Sequence, residues 1–414
     1  MKRRHFLASA AALSLFVKET LAAPKPAAKP ASKPVAKPAA KPPVRKPNGR
    51  PAPNARNLRQ PAPPPAGPRV HTAEDPVIER PPQGTSATRL PPVKAPEPPT
   101  EWRTWEITTT VKTKAGRATR FWLPLPLNQD TLYQRTLGHS WGGNPEQAAM
   151  RRLPDGDLEV FHCEWKENGE GRLRFTTQVT TADRHFDITK RTMPPDREDI
   201  LRRNLQASRL IPNDGLAHQL GERIVGRIKD PVAQAKAVYD WVIDNAIYDP
   251  SLPGCGSGDV RKQLISGQYG GRSADINGLF VAICRAIGIP ARCVYGIRVG
   301  PSRLFRSLGL ASPDATRGHH ARAEFYIPGY GWIPVDPSDV RRAVAMEGLS
   351  ERDSKLMALR RVLFGVWEMN WVAFNVGVDL TLPGQQSALP FLALPQSDAD
   401  DDLSYTISAR QVEL

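Results

Sequence analysis

The chain reads as an α+β protein, and three observations carry that reading. Short stretches of alternating apolar and polar residues, separated by turn residues, fill the region from Trp102 to about Ile188. Two helical stretches follow, one at Val232–Ile247 and one opening on Gly270-Gly271. A strand pair with a glycine turn comes after them, at His319–Asp339. All of this lies behind a long Pro- and Lys-rich segment that packs nothing.

The ends of the chain differ in charge. Residues 1–100 hold 18 of the 57 Lys/Arg and 5 of the 42 Asp/Glu, which leaves 39 against 37 in the other 314 residues. The same 100 residues hold 23 of the 42 prolines. The formal net charge of +15 therefore belongs to a tail. No nucleic-acid motif accompanies it, so no nucleic-acid partner is expected.

Residues 1–22 read as an export signal. Lys2-Arg3-Arg4 is basic, Leu7–Val17 is apolar but too short to span a bilayer, and Thr20-Leu21-Ala22 offers a small-residue cleavage site. Arg3-Arg4-His5-Phe6-Leu7 resembles a twin-arginine signal, without the usual Ser or Thr ahead of the arginines. The expected location is the bacterial periplasm, with no membrane span in the mature chain. Residues 23–99 are read as a disordered linker. Lys-Pro recurs every four residues from Lys25 to Pro42, and proline removes donors and fixes φ. At about 3.1 Å per residue this tether reaches on the order of 200 Å. Its charge suits anionic envelope polymers or serves a plain solubilising spacer.

The remaining chain divides into a β-rich, sandwich-like domain (100–190), a core (191–342) and a C-terminal extension (343–414). In the first, Thr104–Val111, Arg120–Leu123, Leu158–Phe161 and Leu173–Val179 are the expected strands. In the core, Arg197–Asp230 carries helical signals, and Val232–Ile247 has Ala235, Val238, Val242 and Ala246 on one face. A glycine-rich loop with Cys255 leads to the next helix, and Arg292–Val299 is the next strand. The extension holds one expected helix near Glu347–Val362, an irregular stretch packing on the core, and a last strand near Tyr405–Ala409.

Chemistry concentrates in Gly270-Gly271-Arg272-Ser273-Ala274-Asp275-Ile276-Asn277. Two glycines turn the backbone, and the next residue lies at a helix N-terminus, where the dipole favours negative charge. A thiol is activated by such a place, but a serine hydroxyl is not, because its pKa is far too high. Ser273 is thus either a weak nucleophile or a helix N-cap. His320 begins the strand His319–Pro328, and Asp336 ends the strand paired with it, which allows a base and its orienter to lie side by side. Asp339 is a weaker orienter, because Pro337-Ser338 reads as a turn. Asp275 suits the helix dipole, and His319 falls on the opposite, solvated face. Four cysteines make no disulfide framework, and Cys284 reads as core. No metal-ligand spacing appears, so neither metal nor cofactor is expected.

These residues carry a resemblance. From about Val232 to Arg342 the chain resembles the core of the transglutaminase-like superfamily of papain-like folds, whose motif order is Cys, His, Asp. The matching positions here are Ser273, His320 and Asp336. Gly254-Cys255-Gly256-Ser257-Gly258-Asp259, Gly288-Ile289-Pro290-Ala291-Arg292 and Trp367-Glu368-Met369-Asn370-Trp371-Val372 are similar to a bacterial, exported branch. The resemblance implies a papain-like core and a cleft for peptide or cell-envelope amide chains. With serine at 273 it implies an attenuated or inactive module, a pseudoenzyme. The alternative is an active acyl transferase or amide hydrolase using Ser273 or Cys255 with His320 and Asp336. That branch carries a Cys at the position of Cys255 even when the core Cys is present, which points to a separate role for it. Gln268 is a candidate oxyanion donor, as a glutamine is in papain-like enzymes.

Overall fold

The computed structural model describes residues 98–413, apart from 115, 154–155, 168, 188, 192 and 400–402. The segment read as an export signal and nearly all of the segment read as a linker lie outside the described residues. The described chain is α+β, with a β-rich front and a helix-on-sheet core.

Six strands open it: β1 (Arg103–Thr113), β2 (Thr119–Pro124), β3 (Gln134–Gly143), β4 (Gln147–Leu153), β5 (Leu158–Trp165) and β6 (Arg172–Thr181). Strand β5 alternates in burial, with Phe161, Cys163 and Trp165 turned inward. They meet Val111, Phe121, Leu173 and Phe175 from the other strands, and the Phe161 and Phe175 rings sit 4.7 Å apart. Burying each such side chain is worth roughly 1.5–3 kcal/mol. Strands β3 and β4 carry no clean alternation in sequence. They are edge strands, largely exposed, so they needed none.

After β7 (Arg184–His185) the helices begin: α1 (Glu198–Arg203), α2 (Gly215–Val225) and α3 (Pro231–Asn245). Asp230 caps α3 by accepting from Ala233 N, and Pro231 sits where a missing N–H costs nothing. Short strands β8 (Ile247–Tyr248) and β9 (Gly270–Gly271) pair in parallel around α4 (Val260–Ser266). Helix α5 (Ser273–Ala286) follows, and every one of its residues is buried. A helix apolar nearly all round belongs inside a fold. Gly288, at φ +86°, ends its run.

Against α5 lies a sheet built from β10 (Ala291–Arg298), β11 (His319–Ile327) and β12 (Gly331–Val335). Then come α6 (Pro337–Glu347) and α7 (Ser354–Val362), β13 (Val366–Trp367) and β14 (Trp371–Asn375). The core sheet runs β12-β11-β10-β14, all antiparallel. Two expectations need correcting here. The second hairpin strand stops at Val335, and Asp336-Pro337 starts a helix instead of a turn. The helix expected near 347–362 begins only at Ser354, because the preceding helix α6 runs to Glu347 and ends on Gly348 in the left-handed region.

The last strands, β15 (Gln396–Ser397) and β16 (Leu403–Val412), return to the β-rich front. Its two sheets are ordered β16-β1-β6-β3 and β15-β2-β5-β4. Between them and β14 the chain crosses the core, where Phe391 stacks on Tyr295 at 4.5 Å with the rings 3° from parallel. Among the described residues no helix is long and apolar enough to cross a membrane.

Candidate active site

The start of α5 is built by Asp275. Its carboxylate accepts from Arg272 N (2.8 Å), from Gly258 N (2.8 Å) and from Ser257 Oγ (3.1 Å). One side chain thus closes the helix N-terminus and pins the glycine-rich loop to it. Gly256, at φ +92°, lies so close that a Cβ there would meet Asp275 Oδ2 at 1.7 Å, so no other residue fits. Burial raises the Asp275 pKa despite these donors.

Ser273 is the first residue of α5, and the cap position belongs to Arg272; the N-cap expectation for Ser273 is corrected. The reason lies in β11. Strand β12 ends at Val335, opposite Ala323, so Ala321 has no partner strand on that side. Its N–H donates instead to Ser273 Oγ (3.0 Å), and its carbonyl accepts from Asn277 Nδ2 (2.7 Å). Cys255 itself is buried, its thiol pushed up to about 12 by burial, and Ala274 N donates to its carbonyl (2.8 Å).

His320 follows one residue before Ala321. Its Nε2 lies 2.7 Å from Asp336 Oδ2 and 3.6 Å from Asp339 Oδ1. Asp336 does two things at once. Its Oδ1 caps α6 by accepting from Asp339 N (3.1 Å), and it also accepts from Ser338 Oγ (2.7 Å) and Asn277 Nδ2 (3.1 Å). Asp339 is held by Arg298 through a buried 2.5 Å ion pair. Burial first, and the Arg298 guanidinium second, hold His320 well below the usual imidazole range, against the opposing pull of Asp339. The resting ring is therefore neutral at pH 7. With Nε2 donating to Asp336, Nδ1 is left as the basic nitrogen.

Beneath the strand, Arg322 lies between Trp371 (4.7 Å to the ring centre) and Trp367 (5.6 Å), donates to Glu368 O (3.1 Å), and approaches Asp336 Oδ2 at 3.7 Å. The indole of Trp371 donates to His320 O (3.1 Å). The Trp367–Trp371 segment thus supports the strand that carries His320.

The structure brings Ser273, His320, Asp336 and Cys255 into one buried neighbourhood; Ser273 and His320 are each 3% exposed. Gln268 is elsewhere, on the exposed turn after α4, and the glutamine buried beside the start of α5 is Gln263, which donates to Asp275 O and accepts from Gly270 N. His319 is not solvated. It is buried, and its side chain lines an apolar cavity with Ile107, Phe175, Ile297 and Phe374. His320, Asp336 and Asp339 lie close enough for one ion; one oxygen of each aspartate is bonded within the protein, Asp339 Oδ1 to Arg298 and Asp336 Oδ1 to Asn277 and Ser338. Sequence reasoning missed Asn277, Arg298 and Arg322. The available signal was a polar or charged residue within a stretch otherwise apolar enough to be core.

The stretch that carries these residues matches a known family. The family model of the transglutaminase-like superfamily matches residues 218–337, from within α2 to the first residue of α6. An uncharacterized protein of Haemophilus influenzae is 33% identical over 290 residues, covering 66% of this chain and 78% of that protein. The chain belongs to the transglutaminase-like superfamily. Among solved structures it is similar to a candidate cysteine protease from Cytophaga hutchinsonii, with 19% identity, TM-score 0.45, and 75% of this chain and 99% of that one covered. It is also similar to the periplasmic domain of TgpA from Pseudomonas aeruginosa, with 19% identity, TM-score 0.29, and coverages of 59% and 93%.

Proposed function

We propose that this is an exported transglutaminase-like protein of the bacterial envelope that holds peptide or cell-envelope amide chains and turns them over slowly or not at all. Ser273 stands in the nucleophile's place, His320 is the base and Asp336 its orienter. The observation that carries the reading is the state of Ser273. Its hydroxyl sits on the first turn of a buried helix, already accepting from the N–H of Ala321, the residue after His320, whose imidazole is neutral at rest. A cysteine in that place is drawn toward thiolate by the helix dipole and by proton transfer to the ring. A serine gains nothing comparable, because the dipole cannot ionise it. Cys255 does not replace it, since burial keeps that thiol protonated.

Export rests on the basic and apolar N-terminus, Lys2 to Ala22. The test is Ser273→Cys. At pH 7 its new thiol is expected to react with iodoacetamide faster than free cysteine, while the wild-type protein releases no ammonia from glutamine peptides and cleaves no peptide amide. Robust wild-type turnover that is lost in Ser273→Ala and retained in Cys255→Ala overturns the reading and makes the protein a serine enzyme.

A further inference from the structure

Asn277 is fully buried, one helical turn beyond Ser273, in a stretch otherwise given over to core. Its amide makes four bonds to three residues on two elements. With two hydrogens, Nδ2 donates to Ala321 O on β11 (2.7 Å) and shares its second between Asp336 Oδ1 at the start of α6 (3.1 Å) and Ser338 Oγ (3.2 Å). Its Oδ1 accepts from Ser338 N (3.3 Å). The orientation is fixed by chemistry. A carbonyl and a carboxylate accept only, and a backbone N–H donates only, so the amide fits one way round.

We propose that Asn277 is the positioning residue that sets the Asp336–His320 pair in register with Ser273. The argument is geometric. Ala321 hands its N–H to Ser273 and its carbonyl to Asn277, so two residues of one helix hold the strand that carries His320. The same amide holds Asp336 by the oxygen that does not face the ring, which leaves Oδ2 aimed at Nε2. Without that donor Oδ1 keeps only the Ser338 and Asp339 bonds of its own helix, and no hydrogen bond ties it to α5. The groups facing His320 are Asp336, Asp339 and Arg342 from α6, Arg298 from β10 and Arg322 from β11. None of them belongs to α5, so Asn277 is the polar link between the helix start and the ring's partner.

The proposal rests on the reading of His320 and Asp336 as base and orienter, and its test separates the two. Nitrogen-15 NMR of the His320 ring in the full chain reads the tautomer and the exchange of Nε2–H without any activity. Asn277→Ala is expected to raise that exchange rate by about tenfold or more, the size of one lost bond to a charged group. In Asn277→Asp the carboxyl donates to Asp336 only when protonated, so the wild-type signal is expected to return at acid pH and fade toward neutral. The same variants in a Ser273→Cys background are expected to slow alkylation by iodoacetamide in parallel. Unchanged Nε2–H exchange in a folded Asn277→Ala overturns the proposal. If that variant does not fold, a signal in Asn277→Asp that ignores pH overturns it. An altered ring signal alongside an unreactive Cys at 273 upholds the role of Asn277 and sinks the reading of Ser273.

Discussion

Replacing Asp336 separates its two jobs. In Asp336→Ala, α6 loses its cap, which costs about 1 kcal/mol. Three buried donors also lose their acceptor, His320 Nε2–H, Asn277 Nδ2–H and Ser338 Oγ–H, at about 1–3 kcal/mol each. The expected loss is about 4–10 kcal/mol, against a whole-domain stability of roughly 5–15 kcal/mol. Asp336→Asn keeps the cap, because Asn and Asp cap equally well. It also keeps an oxygen for Asn277 and Ser338, and it presents an NH2 to the ring, which the ring meets by moving its proton to Nδ1. Its cost is expected at about 1.5–3 kcal/mol, the worth of one bond to a charged group. Urea unfolding with an unchanged m-value measures both. If Asp336→Ala costs under about 1 kcal/mol, or if the two variants are equally damaging, then Asp336 does not hold both the helix and the ring.

Two further outcomes concern pH. His319 is held down to about 4 by burial, so the unfolded chain takes up a proton from about pH 6.5 while the folded chain does not. Stability is expected to fall by about 3 kcal/mol between pH 6.5 and pH 4 on this account, and His319→Leu is expected to flatten that limb; an acid limb unchanged in His319→Leu refutes it. Glu324 is buried between Arg292 (2.6 Å) and Arg184 (2.5 Å), and although burial pushes its pKa up, the two guanidiniums bring it below the usual value. Its stabilisation is present above the ordinary glutamate pKa and is lost as pH falls through the lower folded value, so Glu324→Gln is expected to be less stable than wild type at pH 7 and to converge with it in acid; a constant gap refutes this.

What the sequence made legible followed from periodicity and from punctuation with one meaning. The strand β5, the amphipathic helix α3 and the two glycines before α5 each lie where they were expected. The edge strands β3 and β4 were illegible because strands facing water on most sides carry no pattern to read. Asp336-Pro337 was misread for the opposite reason. A proline after a strand ends it, but after a capping residue it also begins a helix, and local sequence does not say which. The difference is chemical. As the end of a strand, Asp336 would owe its position to a turn. As the cap of α6, it has one oxygen spent on the helix and on Asn277, and the other free to face His320. The aspartate is therefore aimed by the helix it starts. His319 was placed in water by strand alternation, yet the β-rich front covers that face of the core sheet and buries it beside Ile107 and Phe175. Alternation names two faces, and only the packing of the next layer says whether the second one is wet.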